Sequence, residues 1–335
     1  MARITLTYTD MHTAGEPVRI VTGGYPELTG ATILDKRRQA RDAYDHLRSA
    51  MMFEPRGHEG MYGVIPVKPS VPGAVIGVLF THHEGYSTMC GHATVALGRW
   101  IVDQGLVEKT EPVTRFLMEA PCGPLAMECH VKNSEVTSVT FESVPAFTEG
   151  RDEAFDVPGF GRIITDIAYG GAYYAILPAS RFGLDLFETP VAKLVDAAAA
   201  LTDTIRSQRK ITHPEADDLG FLYGTIITDE AAVDQPSANL CVFAERQIDR
   251  APTGSGVTAR MALDHAKGLI KAGTTRRFYG IAGVPFDGSI TRVEGSAVRV
   301  AVSGQGYYAG QGSFIIEEND ALGFGFELPK HFTRI

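Results

Sequence analysis

Thr88-Met89-Cys90-Gly91-His92-Ala93-Thr94-Val95-Ala96 has a counterpart in Pro252-Thr253-Gly254-Ser255-Gly256-Val257-Thr258-Ala259, and this pairing decides the fold. Each stretch leads into a segment of small, mostly uncharged residues, Ala93 to Gln104 in one case and Val257 to Leu269 in the other. Neither has a charged face over its first two turns, which predicts helices buried on all sides. Directly before each helix lies a glycine-bearing turn, and before that a position able to carry chemistry. These positions are Cys90 and Thr253, 163 residues apart in a chain of 335. Ten residues upstream of each, a phenylalanine closes a strand-like run, Val78-Leu79-Phe80 and Cys241-Val242-Phe243. Each half also opens with an aspartate, a glycine turn and a strand, at Asp10…Gly15-Glu16-Pro17-Val18 and Asp166…Gly170-Gly171-Ala172. Three matches in the same order predict a duplicated chain of α/β (α+β) class. Its two pseudo-symmetric halves are each a curved mixed β-sheet or barrel around one central helix.

The expected division is 1–150, carrying Cys90, and 151–317, carrying Asp249 and Thr253, with a tail at 318–335 returning to the first half. The boundary falls where Pro, Gly and charged residues cluster between Pro145 and Pro158. Further β-branched runs at Val18–Val21, Ala74–Phe80, Ser138–Phe141, Ala172–Leu177, Gly224–Thr228 and Ala297–Val302 read as strands. Asp35 to Met52 and Val191 to Arg209 read as amphipathic helices.

Composition narrows the class. Apolar residues at 44% and charged residues at 21% are those of a globular protein. Lys and Arg number 31 against 40 Asp and Glu, a formal charge of −9, which disfavours nucleic acid and anionic membranes as partners. No apolar run approaches the roughly 18 residues of a membrane span, and the N-terminus has no signal-like core. Four cysteines (Cys90, Cys122, Cys129, Cys241) are too few for a disulfide framework. The expectation is a cytoplasmic protein. Metal ligation is not expected, since Cys122, Cys129 and His130 lack paired spacing. Gly254–Ala259 and Gly304–Ala309 match the dinucleotide glycine pattern but lack its strand–turn–helix setting, so no nucleotide cofactor is expected.

Cys90 at a helix start faces unpaired N–H groups and the positive end of the helix dipole, which favour thiolate and predict a lowered pKa. His92 can add a hydrogen bond. Thr253 or Ser255, taken alone, would be an ordinary N-cap. If the duplication brings the two helix starts together, they form a cleft that binds a carboxylate from both sides. Asp249 then supplies a counter-charge for an amine, and a zwitterionic amino acid is the natural guest.

Met89-Cys90-Gly91-His92 and Asp249-Arg250-Ala251-Pro252-Thr253-Gly254-Ser255-Gly256 together resemble the proline racemase superfamily. The likeness extends to Asp10–Pro17, Glu54-Pro55-Arg56-Gly57-His58 and Asp166–Gly171, nearly the whole chain. It implies a diaminopimelate-epimerase-like fold with the site between the halves. It also implies a hydroxyproline-type small-molecule substrate and no cofactor, with a homodimer as the candidate assembly. Racemases and 4-hydroxyproline epimerases of the superfamily carry cysteine at both reactive positions. This chain keeps Cys90 but has Thr253, a pattern similar to trans-3-hydroxy-L-proline dehydratases. The resemblance makes Cys90 the catalytic base and Gly91, His92, Asp249, Gly254 and Ser255 the substrate-binding residues, with Thr253 at the second reactive position. Gly280–Gly288 departs from the superfamily pattern, which puts the pocket wall at Gly283–Gly288 in doubt. A threonine hydroxyl is too weak an acid or base for two-base inversion, so a one-base dehydration by Cys90 is expected. The alternatives are proline racemase or 4-hydroxyproline epimerase, and a non-catalytic amino-acid binder.

Overall fold

The computed structural model describes residues 3–244 and 246–328. In the first half the strands are β1 (Arg3–Thr13), β2 (Glu16–Gly23), β3 (Gly63–Val67), β4 (Ala74–Thr81), β5 (Tyr86–Ser87), β6 (Val113–Ala120), β7 (Gly123–Lys132) and β8 (Glu135–Glu142). Then follow β9 (Phe147–Val157), β10 (Gly161–Tyr169), β11 (Tyr173–Pro178), β12 (Leu222–Thr228), β13 (Ser237–Phe243) and β14 (Gln247–Ile248). The last four are β15 (Thr275–Tyr279), β16 (Pro285–Glu294), β17 (Ala297–Gly304) and β18 (Gly306–Glu317). Among the described residues four α-helices complete the fold: α1 (Ile33–Met52), α2 (Gly91–Asp103), α3 (Val191–Gln208) and α4 (Gly254–Ala266).

The duplication is written in the strand pairing. β1 and β2 pair antiparallel, β2 and β3 parallel, β3–β4–β5 antiparallel, and β4 reaches β6 in parallel. Nine strands later the same pattern recurs: β10–β11 antiparallel, β11–β12 parallel, β12–β13–β14 antiparallel and β13–β15 parallel. α1 and α3 occupy equivalent crossovers, as do α2 and α4. The ninth strand of each repeat closes the other repeat's sheet. β9 pairs with β10, and β18 pairs with β1 from Arg3↔Glu317 to Thr13↔Gly306. Residues 306–317 thus join the first half's sheet, and the return of the chain starts ahead of the 318–335 tail. That tail touches the first half at Glu54↔Phe326, and its residues 329–335 lie outside the described ones.

Both central helices are buried as their composition predicts: the first eight residues of α2 and the first eleven of α4 are inaccessible. They sit in one continuous core that spans both halves. A second, smaller cluster lies under α1, whose start is fixed by a capping box in which Thr32 Oγ1 accepts from Asp35 N–H and Asp35 accepts from Thr32 N–H. The Gly304–Ala309 glycine pattern is strand, at the junction of β17 and β18. No helix among the described residues is long and apolar enough to cross a membrane.

Candidate active site

α2 and α4 meet end to end at their N-termini. A Cβ on Gly91 would stand 2.3 Å from the Gly254 Cα, and one on Gly254 would stand 2.7 Å from the Gly91 Cα. Real side chains do not tolerate such separations, so the glycines are what allow the two helix starts to touch. Beside this contact lies a cavity lined by Cys90, Gly91, His92, Asp249, Thr253 and Ser255. Six of the seven residues singled out in the sequence therefore share one cavity. Gly254, the seventh, packs directly against Gly91 beside the cavity.

Cys90 is the N-cap of α2 and Thr253 the N-cap of α4, and neither side chain caps its own helix. The first N–H groups of both helices are left for a guest. The two caps differ in backbone. Cys90 is extended (φ −144°), whereas Thr253 is left-handed (φ 65°), a conformation that disfavours a β-branched residue and stores about 1–3 kcal/mol. Thr253 Oγ1 is buried and makes no hydrogen bond of good geometry among the described residues. Asp249 lies near enough for that hydroxyl to favour its carboxylate, which places the expected counter-charge beside Thr253.

The Cys90 thiol lies 3.2 Å from His92 Nδ1. Burial pushes the thiol well above its ordinary value, while the Ala93 N–H and the Tyr62 hydroxyl pull it down and the charges of Asp249 and Glu16 push it up. This corrects the expected lowered pKa: the helix-start effect is present, but desolvation outweighs it. His92 is pushed down to about 3, chiefly by burial, and is neutral. Asp249 is raised to about 7, again chiefly by burial, although Oδ1 accepts the Ala251 N–H at 2.8 Å.

The remaining walls come from residues that sequence reasoning left in the core. Tyr62, Met89, Tyr174, Tyr223, Cys241 and Phe243 line the cavity. Tyr62 meets His92 edge-on with centroids 4.8 Å apart, Tyr223 stacks on Phe243 at 5.4 Å, and Tyr174 Oη lies 2.7 Å from Ser255 Oγ. A signal for Tyr174 existed: a tyrosine inside a fully buried strand needs a hydroxyl partner. Gly283–Gly288, the doubtful wall, does not line the cavity. The turn before it braces the site from behind, where the Ala282 N–H donates to the Arg250 carbonyl at 3.2 Å.

Glu16, quoted in the sequence motif without a role, is fully buried behind Asp249. Its carboxylate accepts from the Arg250 N–H at 2.7 Å and lies 3.3 Å from Arg250 Nη1. Glu16, His92 and Asp249 each place a polar atom within 4.8 Å of the others. The arrangement suits a cationic guest, with two carboxylates sharing one arginine.

Comparison with known proteins bears on this geometry. The sequence model described as proline racemase matches residues 8–327. A trans-L-3-hydroxyproline dehydratase of Xenopus tropicalis is 50% identical over 96% of this chain and 95% of its own. The Homo sapiens trans-3-hydroxy-L-proline dehydratase is 49% identical over 96% of this chain and 94% of its own. Among solved structures, a hydroxyproline epimerase from Agrobacterium vitis with bound trans-4-hydroxy-L-proline superposes with a TM-score of 0.91. It is 25% identical and covers 97% of this chain and 95% of its own.

Proposed function

The chain belongs to the proline racemase family, and we propose from that membership that it dehydrates trans-3-hydroxy-L-proline to Δ1-pyrroline-2-carboxylate, with Cys90 as general base. The observation that carries the reading is the unequal pair of helix caps: one thiol and one hydroxyl lining one cavity.

The substrate carboxylate binds between the two helix starts, where the free N–H groups of Gly91, His92, Gly254 and Ser255 oppose its charge. The ring ammonium lies toward Asp249. Cys90 removes the α-proton, and charge spreading onto the carboxylate is stabilised by the same N–H groups, already oriented in a water-poor site. The C3–O bond then breaks, the hydroxide leaves with a proton as water, and the resulting enamine tautomerises to the cyclic imine. The Ala93 N–H and the Tyr62 hydroxyl favour the Cys90 thiolate against the burial that opposes it. The expected homodimer and cytoplasmic location belong to this reading, and light scattering and cell fractionation test them.

The deciding experiment is turnover of trans-3-hydroxy-L-proline beside trans-4-hydroxy-L-proline and L-proline, with wild type and Cys90→Ala. Water elimination from the 3-hydroxy compound alone is expected, falling at least about 100-fold in Cys90→Ala because loss of a general base costs 10²–10⁴-fold. Inversion of the other two compounds without elimination would establish the isomerase reading instead. No turnover at all would leave an amino-acid binder.

A further inference from the structure

Two carboxylates, Glu16 from the start of β2 and Asp249 from the turn after β14, are buried at the back of the cavity with polar atoms within 4.8 Å of each other. One cation, Arg250, serves both. Its N–H and Nη1 are on Glu16, and Nη1 also donates to the Gly60 carbonyl at 3.0 Å. Two buried negative charges with one positive partner leave a deficit that a desolvated site does not tolerate. We propose that Glu16 is a positioning residue that holds one proton in common with Asp249 in the empty site, and that the substrate's ring ammonium displaces this proton to solvent on binding.

The inference rests on the dehydratase reading for the identity of the ammonium. Every other ionisable group facing Asp249 is accounted for. His92 is neutral, pushed down to about 3 by burial. Cys90, Cys241 and Tyr174 are all raised by burial and keep their protons through the acid and neutral range. Both carboxyls are raised, Glu16 by burial and then by the charge of Asp249. The pair therefore titrates as a unit rather than as two separate acids. When the ammonium arrives, it and Arg250 balance the two carboxylates at the back of the cavity, while the substrate's own carboxylate is met by the helix starts, and the retained proton is no longer needed. Selectivity follows: a ligand that matches the ring and carboxylate but lacks the positive nitrogen leaves the proton in place and binds against an uncompensated arrangement.

The test is calorimetric titration of Cys90→Ala, which removes both turnover and the thiol as a proton source, in buffers of different ionisation enthalpy. Trans-3-hydroxy-L-proline is expected to release about one proton per site at about pH 6, with affinity falling about tenfold per pH unit below the pair's midpoint. Planar pyrrole-2-carboxylate, which has no ammonium, is expected to release none. In Cys90→Ala with Glu16→Gln the Arg250 contact can persist and no second carboxylate opposes ionisation of Asp249, so the midpoint falls although burial still raises it. Proton release at about pH 6 decreases and the pH slope moves to lower pH there. Binding of hydroxyproline without proton release, equal release with pyrrole-2-carboxylate, or unchanged release in Glu16→Gln each overturns the proposal. Failure of the hydroxyproline to bind or to be turned over by wild type overturns the dehydratase reading instead. The comparison of the two ligands stands if Glu16→Gln does not fold.

Discussion

Adding one methyl group at the contact between the two helix starts should disable the enzyme without unfolding it. In Gly91→Ala the new Cβ would meet the Gly254 Cα at 2.3 Å, whereas ordinary van der Waals contact begins at 3.4 Å. The opposing backbone must retreat by about 1 Å, and a misplacement of that size costs about 100-fold in rate when a reaction depends on fixed geometry. Gly254→Ala starts from 2.7 Å, requires a smaller retreat, and should lose less, about tenfold. Stability should change little, since Ala improves helix propensity by about 1 kcal/mol over Gly while overpacking costs about 1–3 kcal/mol. Gly310→Ala is the control, because a Cβ there meets nothing within 4 Å. The assay is kcat and KM for dehydration, alongside thermal melting of each variant. If Gly91→Ala melts like wild type and keeps kcat within about threefold, well short of the expected loss, then contact between the helix starts is not part of the active geometry.

Thr253→Cys should bring measurable α-proton exchange and weak inversion of L-proline or trans-4-hydroxy-L-proline in deuterated water, since it restores a thiol on the second face without the surroundings that tune it. Retained dehydration with no exchange would mean that residue 253 does not face the substrate. Because burial holds the Cys90 thiol above its ordinary value and the reaction needs the thiolate, kcat/KM should climb as pH rises through the neutral range into the alkaline. A flat kcat/KM between about pH 6 and 9 would contradict the assignment. In the trans substrate the α-hydrogen and the C3 hydroxyl share a ring face, so Cys90 can serve both, and cis-3-hydroxy-L-proline should be a poor substrate. Comparable kcat/KM for the two isomers, or a Thr253→Ala loss matching that of Cys90→Ala, would sink the single-face mechanism.

The duplication was legible because it depends on features a sequence displays: glycine turns, small-residue helices and the spacing of Cys90 and Thr253. The exchange of ninth strands was not. Phe147–Val157, expected as the boundary between the halves, is strand β9, and nothing in it or in Gly306–Glu317 names the partner edge. The cavity divides in the same way. Cys90, His92, Asp249 and Ser255 lie at or near helix starts, where local position already fixes which way a group points. Tyr62, directly before β3, and Tyr223 and Phe243 within strands have neighbours decided by the fold, so their convergence on one cavity is invisible until the strands are paired. The sign of the Cys90 shift failed for a related reason. Helix position is local and readable, but the degree of desolvation is set by the whole surrounding wall.

What separates elimination from inversion here is narrower than the fold. The helix starts, the aromatic wall and the counter-charge all serve a planar carbanion, whichever face is next protonated. Asp249 stands beside Thr253, which invites the view that it activates the hydroxyl as a second base. Its other contacts argue against that role. Oδ1 accepts the Ala251 N–H, and the carboxyl faces Glu16 and His92 at the back of the cavity. In the proposed binding mode its charge is engaged with the guest's nitrogen. A carboxylate held near pH 7 also lies far below an alcohol in basicity, so the proton would stay on Thr253. In the proposed dehydration Cys90 acts on the face from which the proton came, and the carbanion takes its proton back there or expels a leaving group. A hydroxyl at C3 on the Cys90 face makes the second outcome productive.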